Sequence, residues 1–208
     1  MTCNGMRVLS LAVILLLTAF LAPAAKAQAP DPAVQPVQTF CDTLLNSMKH
    51  AKELGIKGRY DKLKPVTDQL FGFPVMVRFI VGSDKWDAIS SADRQSLVAA
   101  FARFTAVSWA SNFDGYDGEK LVVNPATQAR AQDRVVMTDL VARKETVSIG
   151  YRMRLIDGSW RVVDVYFKNT TSQLSTLRSE YAATFSSGGA PALVKKLNAK
   201  SDELMAGG

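Results

Sequence analysis

The chain has 208 residues, a formal net charge of +6 and an apolar fraction of 48%, which are typical of a globular domain with a full core. Its charges are mixed and form no long run of one sign, so nucleic-acid binding has no support. Cys3 lies in the predicted signal peptide of residues 1–27, which leaves Cys41 alone, so an internal disulfide is excluded and a metal cluster with the single His50 is not expected.

The first 27 residues have the layout of a secretory signal peptide. Arg7 precedes an almost wholly apolar run from Val8 to Leu21, and small residues before Gln28 offer a cleavage site. A membrane anchor is the alternative, but the run is short for a span, which needs about 20 apolar residues. The sequence therefore predicts that residues 1–27 are removed and that the protein is exported to the periplasm.

A proline-containing leader and a helix follow the predicted signal. Residues 28–36 hold three prolines among small side chains and are predicted to be an extended leader. A single domain is predicted over residues 37–205. Apolar residues at steps of three and four indicate its first helix, namely Val37, Phe40, Cys41, Leu44, Leu45 and Met48.

Two shorter helices are predicted next. One runs from about Tyr60 to Leu70, with Pro65 interrupting or restarting it. The other covers residues 74–82, which are apolar apart from Arg78. A buried strand is the alternative for this segment, but proline at its start and glycine at its end favour a helix.

The longest predicted helix covers residues 91–112. Ser90, followed by Asp93, is a plausible helix cap. One face of this helix carries large apolar side chains, including Leu97, Phe101, Phe104 and Trp109.

The middle of the chain changes to the period of two that is typical of strands. Asp157-Gly158 is a strong hairpin signal between the last two strands. Helical periodicity returns after Ser172, with a break at Gly188-Gly189. Four strands are predicted, within residues 121–123, 134–142, 146–156 and 160–167.

The alternation of residues along the third strand predicts how the sheet is covered. Ile149, Tyr151 and Met153 lie on one face, whereas Arg152 and Arg154 lie on the other. One face of the sheet is therefore predicted to pack against the core, and the other to be more exposed to solvent. The order of helices, four strands and then helices predicts an α+β fold with a curved, mainly antiparallel sheet packed against helices.

Few side chains are arranged for catalysis. The sequence has no nucleophile-elbow, zinc-protease or phosphate-loop motif. Asp139 and Asp164 fall in predicted strands, where aspartate is disfavoured. Asp164 is predicted to share a face with Trp160, Val162 and Tyr166, where it could act as a general base. Alternatively, it accepts hydrogen bonds from backbone amides where the chain turns into the next helix.

Bulky apolar side chains are abundant and could line a cavity between the sheet and the helices. Burying each methylene of a lipid chain stabilises it by about 0.8 kcal/mol, so a lipid that crosses an aqueous compartment needs an apolar cavity that excludes water. No cofactor or metal is expected. The predicted lining residues are Val75, Phe79, Phe101, Phe104, Trp109, Tyr151, Met153, Val163 and Val165.

From about Val37 to Leu204, the sequence resembles the MlaC family of periplasmic lipid-binding proteins, also called toluene-tolerance auxiliary transport proteins. No single motif is diagnostic, but the order and spacing of several stretches are specific. The stretches are Val66-Thr67-Asp68-Gln69 with the apolar helix ending at Gly82, Trp86 to Phe104, Ile156 to Asp164, and Asn169 to Leu197.

The resemblance implies a fold similar to the nuclear-transport-factor-like (NTF2-like) folds, with an apolar cavity and no fixed set of catalytic residues. It also implies that the protein shuttles phospholipid between an outer-membrane lipoprotein complex and an inner-membrane ABC transporter. Gly115-Tyr116-Asp117-Gly118 looks like the pattern of a branch named HpnM, which is associated with hopanoid genes. A hopanoid is therefore the alternative ligand.

Two other functions compete with the carrier. One is a protein–protein adaptor with a filled core, which predicts no connected cavity. The other is an isomerase or dehydratase of a hydrophobic substrate, which needs Asp164 or Asp139 to face the cavity. The sequence favours the non-enzymatic carrier.

Overall fold

The predicted order of helices, then strands, then helical structure is present in the computed structural model, which describes residues 31–168 and 170–207 and adds a short helix over 83–88 that was not predicted. The predicted signal peptide and residues 28–30 of the predicted leader lie outside these residues. The helices are α1 (Val34–Lys49), α2 (Ala51–Leu70), α3 (Phe73–Val81), α4 (Ser83–Ala88), α5 (Ser91–Asn112) and α6 (Gln173–Ala206). The strands are β1 (Lys120–Arg130), β2 (Asp133–Val141), β3 (Thr146–Ile156), β4 (Ser159–Phe167) and β5 (Thr171–Ser172).

The sheet is antiparallel, with its strands in the order β1-β2-β3-β4-β5. It therefore has five strands rather than the predicted four, because the two-residue β5 pairs with the end of β4 through Phe167 and Thr171. The hairpin between β3 and β4 turns at Asp157 and Gly158, whose φ angles of 48° and 75° are those of a type I′ turn. The α+β class and the predicted hairpin are confirmed.

Helix α1 begins earlier than the sequence predicted. The last three residues of the predicted leader, 34–36, form its first turn. Pro36 is tolerated there because the first backbone N–H groups of a helix have no intrahelical partner. Val37, Phe40 and Leu44 are buried, as the apolar stripe predicts.

The helical prediction for residues 74–82 is confirmed by α3, which has Pro74 in its first turn and ends before Gly82. The helix is not covered on every side, because Arg78 and Phe79 are exposed. Helix α5 has the predicted bounds, and the Ser90 side chain accepts a hydrogen bond from the Asp93 backbone N–H at 3.0 Å.

Two glycines bend the longer helices. Gly55 has a φ of 57° inside α2 and kinks this helix, which begins at Ala51 instead of near Tyr60 and continues through Pro65 to Leu70. Gly189 has a φ of 62° inside α6, at the predicted break. Glycine suits both positions because it adopts a positive φ without steric cost.

Strand β1 is longer than the predicted residues 121–123. It continues to Arg130 past Pro125, and its pairing with β2 shifts register between Val123 and Thr127. Proline is accommodated in edge strands and at bulges, and β1 is an edge strand of this sheet.

The core lies between one face of the sheet and the helices. Phe40 of α1 meets Trp109 of α5 edge-on, with ring centroids 5.0 Å apart. Tyr151 of β3 lies 6.1 Å from the Phe40 ring and 6.5 Å from the Trp109 ring. This aromatic cluster joins α1, α5 and the sheet.

A bulge in β4 changes which of its side chains face the core. Arg152 pairs with Asp164 and Met153 with Val162, so Val163 is an extra residue in β4. Asp164 therefore lies on the face of Arg152, opposite to Val162. The prediction that Asp164 shares a face with Val162 and Trp160 is wrong for this reason.

Candidate functional site

An apolar pocket of about 240 Å³ lies between α3, α5, the start of α6 and β4. Ten of its fourteen lining residues are apolar, and of the described residues none that lines it is charged. We call it the apolar pocket. Its apolar lining consists of Phe71, Met76, Phe101, Phe104, Trp109, Phe113, Val165, Phe167, Leu174 and Leu177.

Aromatic contacts hold one wall of the apolar pocket. Phe101 lies 6.0 Å from Phe73 in an edge-on arrangement and 6.4 Å from Phe104. Trp109 is stacked on Phe113 with ring centroids 5.2 Å apart. These pairs add about 0.5–1.5 kcal/mol each beyond the burial of their area, so they stabilise this wall.

Four polar residues, all uncharged, complete the lining. They are Thr105, Ser108, Asn112 and Gln173. The Ser108 hydroxyl donates a hydrogen bond to the Phe104 carbonyl oxygen one turn earlier, at 2.8 Å. Such a lining supplies hydrophobic and dispersion contact, whereas acid–base chemistry needs an ionisable group within reach of the substrate.

The structure divides the single cavity that the sequence predicted. Of the nine predicted lining residues, Phe101, Phe104, Trp109 and Val165 line the apolar pocket. Tyr151 and Met153 are fully buried in the core. The remaining three, Val75, Phe79 and Val163, line a separate groove.

The separation has a simple geometric cause. Met76 and Ile80 point from α3 into the protein, whereas Val75 and Phe79 lie on another face of the same helix. The bulge at Val163 turns that side chain away from the face of Val162 and Val165. The groove still borders the apolar pocket, because Leu174 lines both.

Six apolar lining residues were not among the predicted site residues. They include Phe71, which pairs with Val162 beside the end of α2, and Phe167 at the end of β4. In the sequence, Leu174 and Leu177 belong to the apolar stripe of a predicted helix, and such a stripe does not distinguish residues that line a pocket from residues of the core. The other two are Met76 and Phe113.

Asp164 has the acceptor role that the sequence offered as an alternative. Its Oδ1 accepts hydrogen bonds from the backbone N–H groups of Val165 at 2.8 Å and Leu174 at 3.2 Å. Its Oδ2 accepts one from the Ser172 hydroxyl at 2.7 Å. Both oxygens therefore hold the start of α6 against β4, and the carboxylate does not line the apolar pocket.

The other candidates for chemistry also lie outside the apolar pocket. Asp139 accepts a hydrogen bond from the Ser148 hydroxyl at 2.5 Å. His50 is exposed at the end of α1, with its Nδ1 2.9 Å from the Asn46 carbonyl oxygen. Among the residues that the structure describes, no group of His, Cys, Asp and Glu could hold a metal ion.

Cys41 and Tyr151 are buried together in the aromatic cluster. Burial raises the pKa of the Cys41 thiol to about 12. Burial also raises the pKa of the Tyr151 hydroxyl well above its usual value, and the neighbouring Cys41 adds to this shift. Both groups therefore stay neutral near pH 7, and Cys41 is not a reactive nucleophile.

A larger, open cavity of about 590 Å³ borders the apolar pocket. The two spaces share Asn112, Phe113 and Phe167. The Gly115-Tyr116-Asp117 segment also lines the larger cavity, with the Lys49 ammonium 5.7 Å from the centre of the Tyr116 ring. Over the described residues, no helix is both long and apolar enough to cross a membrane.

The fold is shared with a solved structure, that of the phospholipid-binding protein from Ralstonia solanacearum in complex with a phospholipid. The two chains are 21% identical, with a TM-score of 0.68 over 84% of this chain and 99% of the other. At this identity, the likeness shows the fold alone. No curated protein matches the chain.

The family is shown by sequence. A family model described as "MlaC protein" matches residues 38–199, which is most of the predicted domain. The chain belongs to the MlaC family.

Proposed function

We propose that this protein is a carrier that binds the acyl chains of a phospholipid and moves it through the periplasm. The observation that carries the proposal is an uncharged pocket with aromatic walls in a member of the MlaC family. The structural neighbour that binds a phospholipid supports the choice of ligand. A hopanoid is the second candidate ligand, supported by the Gly115–Gly118 pattern alone.

The pocket residues have distinct roles in this proposal. Phe101, Phe104, Trp109 and Val165 contact the acyl chain directly. Tyr151 and Met153 support them from the core, while the groove residues Val75, Phe79 and Val163 contact the lipid outside the pocket. Each methylene that leaves water contributes about 0.8 kcal/mol, so the length of the enclosed chain sets the affinity.

Loading requires the pocket to enlarge. Its volume of about 240 Å³ is below the range of about 300–1,000 Å³ for pockets that enclose drug-sized ligands. Phe113 and Phe167 line both this pocket and the open cavity of about 590 Å³. Rotation of these two side chains would join the spaces and make room for an acyl chain.

The predicted export signal and the membership in the MlaC family support a proposal for the compartment and the partners of the carrier. We propose that it receives or delivers lipid at an inner-membrane ABC transporter and at an outer-membrane lipoprotein complex. The proposed activity is transport rather than catalysis. Asp164 and Asp139 are already engaged in hydrogen bonds and do not line the apolar pocket.

Mass spectrometry of the gently purified protein tests the proposal, both on the intact complex and after lipid extraction. We expect one phospholipid per protein, or a hopanoid if the second ligand is correct. Phe104→Asp, which places a charge in the pocket wall, should abolish co-purification of lipid. The control Val122→Asp alters a side chain on β1 that is 52% exposed and should retain lipid.

A bare wild-type protein that also fails to bind added lipid would contradict the carrier. That result would favour the adaptor with a filled core. Equal lipid loss in Phe104→Asp and Val122→Asp would place the lipid elsewhere on the protein.

A further inference from the structure

A basic groove of about 300 Å³ lies on the face of the sheet opposite to the core. Its apolar side is formed by Val75, Phe79 and Val163, and its basic side includes Arg152 and Arg154. Phe79, a large apolar side chain of this groove, is 42% exposed. The groove therefore combines an exposed aromatic ring with clustered positive charge.

One buried carboxylate holds two of the arginines side by side. Asp133 is fully buried, and its Oδ2 accepts a hydrogen bond from Arg152 Nε at 2.5 Å. Arg154 makes two bonds to the same carboxylate, through Nε at 2.8 Å and Nη2 at 2.9 Å. The terminal nitrogens of Arg152 and one of those of Arg154 have no partner among the described residues.

Two more arginines add positive charge, Arg130 in the lining of the groove and Arg178 beside the groove residue Phe79. The Arg130 guanidinium lies 5.1 Å from the centre of the Tyr166 ring. The Arg178 guanidinium lies 5.4 Å from the centre of the Phe79 ring. Neither arginine forms an ion pair with any carboxylate of the described residues.

The carboxylates of the groove do not neutralise this charge. Asp133 is shared by two arginines, which leaves that cluster with one excess positive charge. Asp164 lines the groove and contributes one negative charge, and its oxygens accept hydrogen bonds from the backbone N–H groups of Val165 and Leu174 and from the Ser172 hydroxyl. Four guanidinium groups against two carboxylates give the groove and the residues beside it a net positive charge.

We propose that this groove docks the protein onto a bilayer surface that contains anionic phospholipid. The guanidinium groups bind lipid phosphates, whose geometry matches their planar, paired donors. Phe79 inserts among the headgroups, as amphipathic surfaces with aromatic side chains and basic residues do.

The same contact places the bilayer next to the cargo site. Leu174 lines both the groove and the apolar pocket. A bilayer rather than an acidic protein is favoured because an exposed ring beside several cations fits the headgroup region, where apolar and charged groups meet. Docking needs no bound cargo, so it stands independently of the proposed carrier function.

Co-sedimentation with vesicles tests the proposal. The protein is purified after export from the cells that make it, in the form that results from their processing of the full chain. Vesicles of phosphatidylcholine with about 30% phosphatidylglycerol are compared with vesicles of phosphatidylcholine alone. We expect tighter binding to the anionic vesicles and loss of the difference at high salt. The double variant Arg130→Gln/Arg178→Gln should weaken binding to anionic vesicles by about 30-fold, since each basic residue near such a surface contributes a similar electrostatic attraction.

A matched double variant changes the net charge equally at another surface. Lys52→Gln/Lys62→Gln alters two exposed positions of α2 and should weaken binding less than about threefold. Phe79→Ser should weaken binding to both kinds of vesicle by about tenfold. Equal losses in the two double variants would overturn the proposal, as would a wild-type protein that does not distinguish the vesicles.

Discussion

Arg59 donates a hydrogen bond from its Nε to the backbone carbonyl oxygen of Ala110, 51 residues away, at 2.8 Å. Its Nη1 donates a second bond to the Ala51 carbonyl oxygen at 3.1 Å. Ala110 lies in the last turn of α5, whose carbonyl groups have no intrahelical partner. The buried guanidinium therefore caps the helix that carries the aromatic wall, close to its negative end.

Replacing Arg59 should destabilise the protein without touching the pocket. In Arg59→Met both carbonyl oxygens lose their donor inside the core, where each unsatisfied polar group costs about 1–3 kcal/mol. We expect the free energy of unfolding to fall by about 3 kcal/mol in urea titrations. The control Arg143→Met, at a side chain that is 75% exposed, should change it by less than about 0.5 kcal/mol. Similar values for the two variants would contradict the capping role.

Asp133 should make the free energy of unfolding depend on pH in the acidic range. Burial raises the pKa of this carboxyl, but the hydrogen bonds from Arg154 and Arg152 outweigh it and hold the pKa below the usual 3.8. A carboxyl whose pKa is lower in the folded state stabilises the protein above its unfolded pKa. This contribution is lost as the pH falls through the folded value.

The Asp133→Asn variant tests that dependence. Its free energy of unfolding at pH 7 should be lower by about 3 kcal/mol, because two partly buried guanidinium groups lose their carboxylate. Between pH 4 and pH 2 the wild type should lose more stability than the variant. Asp87→Asn breaks an exposed pair with Arg78 and should cost less than about 1 kcal/mol at pH 7. Parallel pH curves for wild type and Asp133→Asn would refute the expected linkage.

Cys41 should lower the stability of the folded protein at alkaline pH, whereas Asp133 affects it at acidic pH. Its pKa is about 12 when folded, because of burial, but about 8.5 when unfolded. Above pH 8.5 the unfolded chain loses this proton first, so stability falls as the pH rises, by up to about 1.4 kcal/mol per unit. Replacing the thiol in Cys41→Ala should flatten the unfolding free energy between pH 8.5 and 10. An unchanged slope would show that the thiol does not carry this dependence.

The order of elements could be predicted because local signals were strong. Pro74 and Gly82 bracket α3, Ser90 caps α5, and Asp157-Gly158 turns the hairpin. The bulge at Val163 could not be predicted in this way. An extra residue in a strand appears only when the register of the neighbouring strand is known.

The division of the predicted cavity has the same origin. In a regular strand, Asp164 would share the core face with Trp160 and Val165 would lie on the opposite face. Because both residues follow the bulge, Val165 lies on the core face and Asp164 on the opposite one. On α3 the proline at the start and the glycine at the end indicate a helix, but almost every residue is apolar. The sequence therefore does not reveal that Met76 faces the pocket while Phe79 faces the groove.

The apolar pocket should lose its proposed lipid ligand when a larger side chain is introduced at one position of α5. Ser108 lines the pocket, so Ser108→Phe places a ring in the space of about 240 Å³. Filling a small cavity with an apolar side chain costs the fold little when the volume fits. We therefore expect the amount of co-purified lipid to fall about tenfold while the urea midpoint changes little. Ser96→Phe makes the same substitution at an exposed position of the same helix and should keep its lipid. Retention of lipid by a folded Ser108→Phe variant would move the acyl-chain site out of the pocket between α5 and β4.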